Sequence, residues 1–98
     1  MNSPTVNEDQ RLVHAESHHY LGYAEIQLRD EPSALRDLRE SIRLDPSSGW
    51  THELLGEIYH KRGRMKEAAQ EMKAALKLDP TIEPARKVLM SIPENQRR

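Results

Sequence analysis

Two stretches of this chain, HHYLGYAEIQLRDEPSALRDLRESIRLDP and HELLGEIYHKRGRMKEAAQEMKAALKLDP, align at a constant offset of 34 residues without a gap. Leu21-Gly22 matches Leu55-Gly56, Ala34 matches Ala68, Ile42 matches Leu76, and Leu44-Asp45-Pro46 matches Leu78-Asp79-Pro80. A repeat of this length narrows the fold sharply. Each copy is one small unit that cannot bury its apolar face alone, so neighbouring copies must stack.

Each unit reads as two helices. Leu54, Leu55, Ile58 and Tyr59 recur at helical spacing, and Gly63 follows as a left-handed cap. Ala68, Ala69, Met72, Ala75, Leu76 and Leu78 form a second apolar face that Asp79-Pro80 ends. In the first copy Asp30 is placed to cap a helix with Pro32 in its first turn, where proline lacks no needed donor. Asn7 and Gln10 give a capping signal at the start. Gly22, Ala34 and Ser41, with their counterparts Gly56, Ala68 and Ala75, are expected where two helix backbones approach closely. The pattern predicts five helices, at residues 8–28, 31–44, 49–62, 65–78 and 82–91. Residues 1–7 and 93–98 are expected to be flexible, around one domain spanning 8–92.

Composition narrows the function. Fifteen basic and sixteen acidic residues leave a net charge of −1, without the basic excess that nucleic-acid binding uses. The chain has no cysteine, which removes disulfides and thiolate metal sites and fits a reducing compartment. No apolar run approaches the roughly 20 residues of a membrane span, and the first ten residues, MNSPTVNEDQ, lack the pattern of a secretory signal. A cytoplasmic protein with no membrane contact is the expectation.

The histidine-rich stretch RLVHAESHHYLGYAE raises the question of metal. His14 and His18 are four apart and share a helix face, but Arg11 and Leu21 flank them and no third ligand follows. Two Glu-x-x-His pairs, Glu16/His19 and Glu57/His60, supply half of a carboxylate di-iron set. They lie one repeat plus seven residues apart. Seven residues of helix is about 10.5 Å, against the roughly 3.5–4 Å between ions of a two-metal site. No metal and no cofactor are expected. There is no phosphate loop, His-Glu-x-x-His or serine elbow, so no enzyme is expected either. The basic run HKRGRMK at 60–66 suits a helix C-terminus, where the dipole favours cations. Met65, Met72 and Met90 are expected to fill the core.

A period of 34 with Leu55, Gly56, Tyr59, Gly63, Ala68, Ala75 and Pro80 at these offsets resembles the tetratricopeptide repeat (TPR). Met72 stands in for the usual aromatic and His52 for the usual first tryptophan. The first copy departs further, with Glu25 for the tyrosine, Arg29 for the glycine and Leu38 for the aromatic. The resemblance implies an all-α fold: antiparallel helix pairs stacked as a short right-handed solenoid, with repeats at about 15–48 and 49–82 and a capping helix at 82–91. It also implies a concave groove that holds a peptide or a partner's helix. Its lining would be Glu16, His19, Tyr23, Ile26 and Gln27 from the first repeat, and Trp50, Glu53, Glu57, His60 and Lys61 from the second, with Lys87 from the last helix. The family's chaperone-tail clamp is absent, because the matching positions carry His19, Tyr23, Leu54, Pro84 and Val88. An adaptor or scaffold module for a protein or peptide partner is the first expectation. The alternative is a self-associating scaffold, with the incomplete array completed in a homodimer or larger homo-oligomer.

Overall fold

The computed structural model describes residues 7–98. The expected flexible stretch at 1–7 therefore lies, apart from Asn7, outside the described residues. Among those residues the chain is helical: α1 (Glu8–Gln27), α2 (Glu31–Leu44), α3 (Gly49–Lys61), α4 (Met65–Leu78), α5 (Glu83–Ser91) and a 3-10 turn (Glu94–Gln96). It divides into two compact units, one ending at Pro46 and the other running from Ser47 to Arg98.

The helix ends follow local chemistry. Asn7 caps α1 in a reciprocal box: the Gln10 backbone N–H donates to its side chain at 2.8 Å, and its own N–H donates to the Gln10 side chain at 3.2 Å. Asp30 accepts from the Ser33 N–H at the head of α2, and Ser48 from the Thr51 N–H at the head of α3. The chain leaves α3 through Gly63 at φ 76°, a left-handed cap.

In the first unit α1 and α2 form an antiparallel hairpin. Contacts run from Ala15 against Ser41 at one end to Gly22 against Ala34 and Leu38 at the other. The Ser41 hydroxyl, buried, donates to the Ala15 carbonyl at 2.7 Å. Ala34, Leu35 and Leu38 fill the seam. Arg29, at the position equivalent to Gly63, sits at φ 62°. An L side chain is strained there, and glycine is not. Replacing Arg29 with glycine is therefore expected to stabilise this unit by about 0.5–1 kcal/mol, read as a higher urea midpoint at unchanged slope.

The second unit repeats the hairpin in α3 and α4 and adds α5. Met72, Ala75, Ile82 and Ala85 form its buried cluster, with Leu76, Val88 and Leu89 packed around them. Ile92, past the end of α5, is also buried. Met72 fills the core as expected, but Met90 is 65% exposed. α5 turns Ala85, Val88 and Leu89 to the cluster, which leaves Met90 on its other side.

Candidate functional site

In both hairpins a histidine on the first helix reaches an acid on the second. His18 Nδ1 lies 2.9 Å from Asp37 Oδ1, and His52 Nδ1 lies 2.9 Å from Glu71 Oε1. His52 and Glu71 stand 34 residues after His18 and Asp37, so the tether is a property of the repeat. In each hairpin this polar bond ties the first helix to the second. In the first unit the tether extends further, because Glu25 also bonds to Asp37. That bond, followed by burial, pushes the Glu25 carboxyl up to about 7. Burial alone would raise Asp37, but hydrogen bonds from Glu25 and His18 outweigh it and hold Asp37 below its ordinary value.

His18 is thus engaged with Asp37, while His14 is exposed. Among the described residues no group of three His, Cys, Asp or Glu side chains is placed to hold a metal ion.

The expected groove residues lie on the faces of α1 and α3 that the hairpin partner leaves uncovered to different degrees. On α1, Glu16, Tyr23 and Gln27 are exposed, and His19 and Ile26 are half-buried. The His19 ring meets Tyr20 edge-on at 5.2 Å. Burial lowers its pKa, against the opposing pull of the Glu16 charge.

On α3, Trp50, Glu53, Glu57 and His60 follow one another at spacings of three or four, and Lys61 stands four after Glu57, so they share one face. Trp50 is 48% exposed, Lys61 is exposed, and Glu57 and His60 are half-buried. The neighbouring stripe of α3 is the one that meets α4: Gly56 lies against Met72 and Glu71, and His52 bonds Glu71. Lys87, on α5 in the same unit, is exposed.

Glu53 departs from the picture of a solvated face. It is 2% exposed, and its Oε2 is buried without a hydrogen-bond partner. Burial first, then a hydrogen bond with Glu57 and the charge of Glu57, push the Glu53 carboxyl up to about 9. At neutral pH Glu53 therefore keeps its proton.

The tetratricopeptide-repeat family profile matches residues 50–82, the whole second hairpin but for its first residue. Residues 50–82 are thus similar to a tetratricopeptide repeat. A curated relative, the probable UDP-N-acetylglucosamine–peptide N-acetylglucosaminyltransferase SPINDLY of Petunia hybrida, is 38% identical over 56 residues. That alignment covers 57% of this chain and 6% of the relative, so the chain spans a small fraction of that protein's length. Tetratricopeptide repeats mediate protein–protein contacts, and the helix pairing, the 34-residue register and the Gly63 cap of this chain agree with the likeness. Among the described residues no helix is long and apolar enough to cross a membrane.

The His–acid tethers escape a reading based on apolar periodicity. Their signal was nonetheless available, as a histidine and an acid 19 residues apart that recur together one repeat later.

Proposed function

We propose that this chain is a non-enzymatic adaptor of the cytoplasm that binds a peptide or a partner's helix on the open face of the first-position helix of each unit, α1 in the first and α3 in the second. The observation that carries this reading is Trp50. It is the chain's one tryptophan, half-exposed on α3 in line with Glu57, His60 and Lys61. Large aromatic side chains of this kind dominate binding hot spots because they bring contact area at low entropy cost. Tyr23, 50% exposed, gives α1 a comparable anchor.

Dodecapeptides selected from a random display library on the immobilised chain provide the test. Binding of the selected peptides is expected to shift Trp50 fluorescence. Tyr23→Ala and Lys61→Glu should each weaken binding at least tenfold without altering helicity. Lys66→Glu and Lys77→Glu, on exposed positions of α4, should change affinity less than twofold. Silent changes at Tyr23 and Lys61 with loss at Lys66 or Lys77 would overturn the reading.

A second reading draws on a different face of α1. Val13 and Tyr20 are exposed there, away from the Ala15–Gly22 stripe that meets α2, and the exposed C-cap Leu28 follows them. A self-associating scaffold would cover that face with another copy. Sedimentation equilibrium decides between the two, since the adaptor reading requires a monomer.

A further inference from the structure

Resting on the α3 face proposed above, we infer that its Glu53–Glu57 pair is a recognition site for a cationic side chain, a lysine or arginine of the partner segment. Three features of α3 combine in this assignment. Glu53 is almost wholly buried and keeps one carboxylate oxygen, Oε2, without a partner. A carboxyl group held in this way lacks the hydrogen bonds that normally compensate burial. Glu57, one turn further on, is half-buried and forms the accessible end of the pair. Trp50, one turn before Glu53 on the same face, offers an exposed indole, the aromatic surface over which cations bind best.

The charges around the pair fit this occupant. The Glu53 carboxyl responds to burial and to the hydrogen bond and charge of Glu57. A lysine ammonium or arginine guanidinium drawn to the half-buried Glu57 carboxylate, beside the exposed Trp50 ring, would let Glu53 ionise behind it. An acidic or neutral ligand side chain would supply no such charge.

The experiment runs the same random dodecapeptide display library in parallel on the wild-type chain and on the Glu53→Gln and Glu57→Gln variants, each first shown by circular dichroism to be folded. Wild-type selections should enrich peptides with a lysine or arginine at one fixed position. Replacing that residue by norleucine should weaken binding at least tenfold to the wild type and less than threefold to either variant. Peptides that bind α3 but carry no basic residue, or a norleucine replacement without effect, would overturn the inference while leaving the binding face intact. Enrichment of no peptide at all would overturn the binding face and this inference together. A lysine-to-arginine exchange that preserves affinity assigns recognition to charge, and one that abolishes it assigns recognition to the shape of the head group; both support the site.

Discussion

Leucine in place of Gly56 is expected to lower the unfolding free energy by about 1–3 kcal/mol, the usual cost of overpacking a close-fitted core. A Cβ at Gly56 would already lie 2.8 Å from Met72 Cε, 3.1 Å from its Sδ and 3.2 Å from Glu71 Cβ. The Met72 terminus can swing, but Met72 is fully buried and has no space to enter. Glu71 Cβ is fixed to the backbone of α4 and can move only with the helix. A leucine must therefore part α3 from α4 and strain the His52–Glu71 bond beside it. Against the 5–15 kcal/mol of an ordinary domain this is a large share, and small repeat units sit towards the lower end. Urea unfolding measures it directly. A Gly56→Leu chain as stable as the wild type would mean that α3 and α4 do not approach where these contacts place them. Alanine at Gly49 provides a companion test, because its Cβ would meet the Ala75 carbonyl oxygen at 2.9 Å, and a backbone carbonyl cannot turn aside.

The second large effect depends on pH. Glu53→Gln is expected to stabilise the chain at neutral pH, by an amount that grows as pH rises. The Glu53 carboxyl is raised from the ordinary 4.5 to about 9 by burial first and Glu57 second. A carboxyl raised in the folded state holds a proton that the unfolded chain has already released. Its contribution is fully present below the unfolded value near 4.5 and is lost as pH rises through the folded value near 9. The loss amounts to at most about 1.4 kcal/mol per pH unit. Glutamine keeps the hydrogen bond to Glu57 and has no proton to lose. The stability gap between variant and wild type should therefore widen steadily from about pH 5 to pH 9, reaching at least about 1 kcal/mol by neutrality. Glu25, raised to about 7 in the first unit, adds a slope of its own, but it is common to both proteins and drops out of the difference. A gap that stays constant with pH would show that Glu53 ionises as freely folded as unfolded.

These two residues mark how far the sequence could be read. Gly56 was legible because a glycine beside Leu55, repeated as Gly22 beside Leu21, announces a close approach of helices. Helix ends were legible for the same local reason: Asn7 with Gln10, Asp30 before Pro32, and Gly63 each act on backbone within a few residues of themselves. The expected ends of α1 and α3 differ from the observed ones by a single residue, since Leu28 and Arg62 close those helices as caps. Helical spacing puts Glu53 in line with Trp50 and Glu57, but its burial depends on how neighbouring side chains fill space, which periodicity does not encode. The His18–Asp37 and His52–Glu71 tethers fall between these cases. The residues recur in register, yet their pairing becomes apparent only once the hairpin brings positions 19 apart face to face. Met90 shows the opposite failure, as an apolar residue at helical spacing that α5 turns away from the core.

The measurement closest to the central claim is a nuclear magnetic resonance footprint of a selected dodecapeptide on the isotope-labelled chain. The account predicts the largest shifts at the Trp50 indole and at the amides of Glu53, Glu57, His60 and Lys61 on α3, with smaller ones at Tyr23 on α1. Lys66, Lys73 and Lys77 on α4 should be unaffected. Shifts concentrated on α4, with the Trp50 indole unmoved, would contradict it: the helical hairpins would stand, but the partner would use the other side of the helix pair.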